Sequence, residues 1–192
     1  MIKTENFKKV EISTQVELRA WLIKHHTQDE SIWLVTYKKH LEDKYVSTGQ
    51  VLDELLCFGW IDGIRRKLDD ERTMQLIGPR RKQHWAKSYK DRAQRLIEAG
   101  KMMPAGLNSI EVSKKNGFWN FMDDVDALVK PDDLIKSLNE HAPAMDVFNA
   151  FAPSVQRFTL RWIKLAKTEK TRRSRIKKTA KLAQIGEKIP GV

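Results

Sequence analysis

Cysteine is nearly missing from this chain of 192 residues, and the lone Cys57 excludes an internal disulfide and fits a reducing compartment. Long apolar runs are missing as well. Nothing reaches the roughly 18 consecutive apolar residues of a membrane span. Met1 to Asn6 lacks the apolar centre of a signal peptide, so the expected location is cytoplasmic. His25, His26, His40, His84 and His141 lack the paired spacing of metal ligands, and no metal is expected. No cofactor is expected either. Gly59 and Gly63 match neither dinucleotide-binding nor P-loop spacing, and no serine sits in a nucleophile elbow. Internal repeats are absent too.

What is present suffices for a folded protein. Apolar residues make up 41% of the chain, with six Trp and seven Phe, which excludes wholesale disorder. The length allows one good core, or two small ones. The net charge of +11 is unevenly placed. Residues 161–192 hold eleven Lys/Arg against Glu169 and Glu187, a net +9, while the other 160 residues hold 25 cations and 23 anions. Such a tail suits an acidic protein, nucleic acid or an anionic membrane surface, or else it is a solvated face that aids solubility.

Periodicity divides the chain. Residues 7–12 read as a short strand, and Thr14 with Glu17 as a capping box opening a helix to His26. Ile32 to Tyr37 is apolar on both faces, which predicts a central strand. Ser47 and Gln50 form a second capping box, before a helix with Leu52, Leu55 and Leu56 inward that Gly59 ends. The chain then turns extended. Strict alternation puts Trp60, Asp62, Ile64, Arg66 and Leu68 on one face, and Arg72 to Ile77 returns as a hairpin partner after Asp69-Asp70. Beyond Pro79 the pattern is helical. Ser88 caps one helix, and Pro104 opens another with Leu107 and Ile110 inward. Phe118, Trp119, Phe121 and Met122 form an aromatic plug before an acidic linker, Asp123 to Asp126. Later stripes are Leu134/Leu138, Met145/Phe148/Phe151 and Val155/Phe158/Trp162/Ala166, and a last helix buries Ile176, Ala180 and Ala183. The expected class is α+β: a small, mainly antiparallel sheet with helices over 1–85, linking helices over 86–122, and an all-helical part over 123–192.

Leu55 to Lys67 gathers apolar bulk, two glycines, one carboxylate and three cations, and any site is expected beside it. Asp62 reads either as a general base or ligand anchor, with Arg65 and Arg66 gripping an anion, or as a carboxylate paired with Arg66 or a turn N–H by Gly63. Cys57 is a nucleophile only with a histidine beside it, His84 being the best placed; a buried, inert thiol is the simpler reading. Arg80-Arg81-Lys82-Gln83-His84-Trp85-Ala86-Lys87, with Tyr89, Lys90, Arg92 and Arg95, interleaves cations with aromatics. That suits phosphate contact with base stacking, or a loop anchored by Trp85 whose cations stay wet. The candidate groove therefore comprises Trp60, Asp62, Gly63, Arg65, Arg66, Arg80, Arg81 and Trp85. The candidate partner or polyanion face comprises Arg161, Lys164, Lys167, Arg172, Arg173, Arg175, Lys177, Lys178 and Lys181.

Cys57-Phe58-Gly59-Trp60-Ile61-Asp62-Gly63 resembles the YdeI/OmpD-associated family, also described as bacteriocin-protection proteins. The resemblance continues through Pro79-Arg80-Arg81, Trp85-Ala86-Lys87, Gly100 to Gly106, and Arg161-Trp162-Ile163 to Arg175-Ile176, in the family's order across about residues 30–186. It implies a bacterial cytoplasmic protein whose C-terminal half is the small helical OmdA domain, named for association with an outer-membrane porin. It brings a tie to tolerance of antimicrobial peptides and bacteriocins, and no catalytic residues. Ala86 departs from the serine that relatives often carry, which weakens any hydroxyl role there.

Three functions are compatible with these features. A non-enzymatic protection or adaptor protein working through protein partners ranks first, on the resemblance. A nucleic-acid-binding protein, using the basic tail helix and the Arg80–Arg95 patch, ranks second on charge. An enzyme or small-anion binder at Asp62, Arg65 and Arg66 ranks third, on a single carboxylate.

Overall fold

A computed structural model describes residues 6–191. Residues 1–5, on which the leader-peptide expectation rests, lie outside the described residues. The class is α+β, and the chain divides into two compact units, residues 1–120 and 121–192.

The first unit is a four-stranded mixed sheet with helices. The strands are β1 (Lys9–Glu11), β2 (Ile32–Tyr37), β3 (Trp60–Lys67) and β4 (Arg72–Pro79), in the order β1-β2-β4-β3. β1 runs parallel to β2, and the other pairs are antiparallel. β2 is thus central, as its two-sided apolar pattern requires. Its Ile32 and Leu34 join Ile77 and Trp60 in the core, against Leu18 and Leu22 of α1 (Gln15–His25) and Val51, Leu55, Leu56 and Cys57 of α2 (Thr48–Cys57).

Local signals place the helix ends. The Ser47–Gln50 box caps α2 reciprocally, and Gly59 follows it with φ +71°, a left-handed position that suits glycine. Thr14 caps α1 by accepting from the Glu17 N–H, but the Glu17 carboxylate reaches back to Ser13 rather than to Thr14. Residues 86–122 hold α3 (Lys87–Glu98) and α4 (Pro104–Lys115), whose Ala93, Leu96 and Ile110 are buried in the core of the first unit. Two details differ from expectation. Ala86, not Ser88, precedes α3, and the buried side of α4 is Gly106, Ile110 and Ser113, with Leu107 exposed. The reason is a backbone approach: a Cβ on Gly106 would stand 2.4 Å from the Cys57 carbonyl oxygen and 2.6 Å from that of Leu56. α4 therefore lies against the end of α2 through glycine, a contact that apolar periodicity does not register.

A buried ion pair ties α1 to α2. Glu54, 3% exposed, accepts from Arg19 at 2.9 Å and from Gln15 at 2.7 Å. Arg19 also donates to the Lys101 carbonyl at 3.1 Å. With Arg19 about a third exposed, removing one partner costs less than the loss of a fully buried pair.

The second unit is helical throughout its described residues: α5 (Asp123–Asp126), α6 (Asp132–Asn139), α7 (Ala144–Ala150), α8 (Pro153–Lys164) and α9 (Glu169–Gln184). The acidic stretch expected as a linker is the short helix α5. Pro131 and Pro143 sit at N-caps and Pro153 inside the first turn of α8, positions where a missing N–H costs nothing. Leu134, Leu138, Phe148, Leu160, Ile163, Ile176, Ala180 and Ala183 form its core. α8 buries Val155, Gln156, Thr159, Leu160 and Ile163 and leaves Phe158 exposed, so its inner face is rotated from the expected stripe. Its polar members are satisfied on backbone: Gln156 donates to the Phe151 carbonyl at 2.8 Å and Thr159 to that of Val155 at 3.0 Å.

Gly106→Ala is expected to destabilise the first unit by about 1–3 kcal/mol, because a methyl there overpacks two carbonyls that cannot swing aside. Urea unfolding checks it; wild-type stability would contradict the close α2–α4 approach.

Candidate functional site

The central stretch lies on β3, and a β-bulge decides which side chains meet. Asp62 pairs with Ile77 and Arg65 with Gln75, so Gly63 and Ile64 together stand opposite Leu76. The extra residue inverts the faces beyond it. Arg65 lands on the face of Asp62, whereas Arg66 turns to the opposite one, its guanidinium 5.4 Å from the centre of the Trp33 ring. The expected sharing of a face by Asp62 and Arg66 is therefore corrected: the two side chains lie on opposite sides of the sheet. Arg65 and Arg66 likewise form no common grip on an anion.

Asp62 is instead held by neutral donors. Tyr89 of α3 donates its phenol proton to Oδ1 at 2.5 Å, and Gln75 donates from Nε2 to Oδ2 at 3.1 Å. Arg65 in turn donates to the Gln75 amide oxygen at 2.6 Å. The result is a relay from Arg65 through Gln75 to Asp62 and Tyr89, anchored on β3, β4 and α3.

Arg80 lies beside this relay, just past the end of β4, where its N–H donates to the Gly59 carbonyl at 2.9 Å. Its guanidinium lies 4.1 Å from the centre of the Trp85 ring and 5.3 Å from that of Tyr89. Burial lowers its pKa to about 10, against the pull of Tyr89 and Asp62, so it remains a cation at neutral pH. One amino group, Nη1, has the Gln83 carbonyl at 3.4 Å, whereas Nε and Nη2 are buried without an acceptor. Trp85 is buried, tilted against Trp119 at 4.9 Å, and its Nε1 is also without an acceptor. Trp85 thus anchors its loop, and no base can stack on it. The wet loop cations are Arg81 and Lys82, both exposed, with Arg81 donating to Asp29.

Trp60 is core: its Nε1 donates to the His26 carbonyl at 2.9 Å, and its ring meets Trp21 edge-on. Cys57 is buried, and its thiol is pushed up, first by burial and then by the Glu54 charge, as an inert thiol should be. Sequence reasoning noted Tyr89 only as a stacking aromatic and overlooked Gln75. Its one signal was a polar residue at the inward position between Thr73 and Ile77. Among the described residues no group of three His, Cys, Asp or Glu is placed to hold a metal, and no helix is long and apolar enough to cross a membrane.

In the second unit the basic residues divide into two sets. Lys164 pairs with Asp124 at 2.5 Å, Arg173 with Glu169 at 2.8 Å, and Arg172 with Asp133 through Nε at 2.7 Å and Nη2 at 2.9 Å. Arg175 donates to the Trp162 carbonyl and stacks on that ring. Arg161, on α8, and Lys167, before α9, are exposed. On α9, Ile176, Thr179, Ala180 and Ala183 face the core, which leaves Lys170, Lys177, Lys178 and Lys181 outward, without ion-pair partners among the described residues. Lys177, Lys178 and Lys181, with Ser174 and Leu182, line an open concavity of about 380 Å³.

The Asp133 carboxyl lies below its ordinary 3.8, chiefly because Arg172 hydrogen-bonds its charged form. A lowered folded-state pKa contributes stability above the unfolded value and loses it as pH falls through the folded one. The second unit should therefore lose up to about 1 kcal/mol from this half-exposed pair below roughly pH 4, and Asp133→Asn should flatten that part of the acid profile. Identical acid profiles for the two proteins would contradict it.

Residues 127–186 match the family described as Bacteriocin-protection, YdeI or OmpD-Associated, which covers the C-terminal part only. Residues 10–109, just over half of the chain, match the family described as Domain of unknown function (DUF8412). The Cys57–Gly63 motif and Arg80 to Tyr89 fall within that second match. Neither a curated protein nor a solved structure matches the chain. The chain therefore belongs to the family of the domain of unknown function DUF8412, and it carries a YdeI/OmpD-associated segment behind that domain.

Proposed function

We propose that the protein is a non-enzymatic adaptor in protection against bacteriocins or antimicrobial peptides, acting in the cytoplasm through an acidic protein partner that docks on α9. One observation carries the reading: α9 packs its small residues inward while Lys170, Lys177, Lys178 and Lys181 stay on its outer face without ion-pair partners among the described residues. Over eleven residues of helix such a face spans about 16 Å, enough to meet a row of carboxylates. Rim charges of this kind raise association rates and select partner sign more than they add affinity. The family described as bacteriocin protection covers the same helix, which favours a protective role.

Nucleic acid is the second reading, favoured by the same lysines. Trp85 is buried, so phosphate contact supports this reading more than stacking on that ring does.

Deleting the gene should lower the inhibitory concentration of cationic peptides or bacteriocins. The wild-type gene should restore it, and a Lys170→Glu, Lys177→Glu, Lys178→Glu, Lys181→Glu version, melting as wild type, should not. Unchanged inhibitory concentrations across the panel would remove this function. Duplex binding with a log K against log salt slope near −0.9 per lysine engaged would make nucleic acid the partner.

A further inference from the structure

Buried donors without acceptors are rare in folded proteins, and each requires an explanation such as a bound ion or water. The first unit places three of them on two stacked side chains: Nε and Nη2 of Arg80, and Nε1 of Trp85. All are donors, and one group is a cation. Asp62 accepts from Tyr89 and Gln75 and makes no hydrogen bond to any of the three. What is lacking is therefore an acceptor, and one of negative charge balances Arg80.

The geometry also indicates the shape of that acceptor. Nε–H and the neighbouring Nη2–H form the side edge of a guanidinium, which offers two parallel donors to a pair of oxygens. The same edge of Arg172 in this chain is filled by the two oxygens of Asp133, at 2.7 and 2.9 Å. On Arg80 that edge meets no acceptor among the described residues. Tyr89, whose ring faces the Arg80 guanidinium, also walls a cleft of about 410 Å³ with Leu52, Ser88, Asp91, Arg92 and Arg95. Arg92 there is paired with Asp53 at 2.5 Å, which leaves Arg95 as the cleft's cation without an ion-pair partner among the described residues.

We propose that Arg80 and Trp85 form a binding site for the anionic head of a small molecule, a carboxylate or phosphate whose two oxygens take the Nε/Nη2 edge. The site is independent of α9 and of any partner bound there.

Calorimetric titration of the full chain with acetate and with inorganic phosphate, at matched ionic strength, tests it and separates the two head groups. Saturable one-to-one binding of at least one anion is expected. Arg80→Gln should weaken it on the order of tenfold or more, since a hydrogen-bonded charge is lost. Trp85→Phe keeps an aromatic ring and removes one donor, so it should weaken binding by a few-fold in protein that still melts cooperatively. The α9 lysine variant should bind as wild type. Absence of saturable binding for both anions would overturn the site and leave water as the occupant. Binding that survives undiminished in both Arg80→Gln and Trp85→Phe, or that is lost in the α9 variant, would overturn it equally.

Discussion

The carboxylate of Asp62 has two oxygens to commit, and the bulge in β3 decides what they meet. Gly63 and Ile64 opposite Leu76 shift the strand by one residue. Arg65 is thereby brought to Gln75, and Arg66 is sent to the far face over Trp33. Arg65, on the same face, is engaged by Gln75, and Asp62 is satisfied by Gln75 and Tyr89. Everything else at the site follows from that commitment. The Tyr89 and Trp85 rings both lie against the Arg80 guanidinium, which is left as a largely buried cation with its bidentate edge unfilled among the described residues. Stacking on Trp and Tyr offsets part of the desolvation of that charge, at about 1–2 kcal/mol per contact, but does not replace hydrogen bonds.

The second unit handles its surplus of cations differently. Those nearest the core are neutralised locally: Lys164 by Asp124, Arg172 by Asp133, and Arg175 by a carbonyl and the Trp162 ring. α9 can then pack closely through Ala180 and Ala183 while its outer lysines keep their charge in water. A helix built this way is both structural and presented, and packing on one side holds the lysine row on the other in register. The two families matched by the chain map onto two different chemistries, an enclosed cation in front and an exposed cationic row behind.

Much of this was legible in the sequence, and the exceptions have physical reasons. The Ser47–Gln50 box, the left-handed glycines at 59, 100 and 186, and the two-sided strand Ile32–Tyr37 follow from local rules of capping, φ and burial. The faces of β3 did not, because a period-two count cannot see one inserted residue; Gly63 inside a strand was the only hint. The inward side of α4 was misread at Leu107, since its closest contact is the backbone at Gly106. α8 was misread because its inner face includes Gln156 and Thr159, whose polar atoms are satisfied by carbonyls. At the site, Asp62, Arg80 and Trp85 stood out by type and position. Gln75 and the pairing of Tyr89 with Asp62 depend on the β4–α3 packing, which no spacing rule encodes.

Double-mutant cycles in urea test the commitment of Asp62 most directly, using Asp62→Asn with Tyr89→Phe and with Arg80→Gln. The structure requires coupling of about 1 kcal/mol or more between Asp62 and Tyr89, and a smaller value between Asp62 and Arg80. A dominant Asp62–Arg80 coupling, with none to Tyr89, would mean that the carboxylate neutralises the arginine after all, and the unfilled edge would not exist.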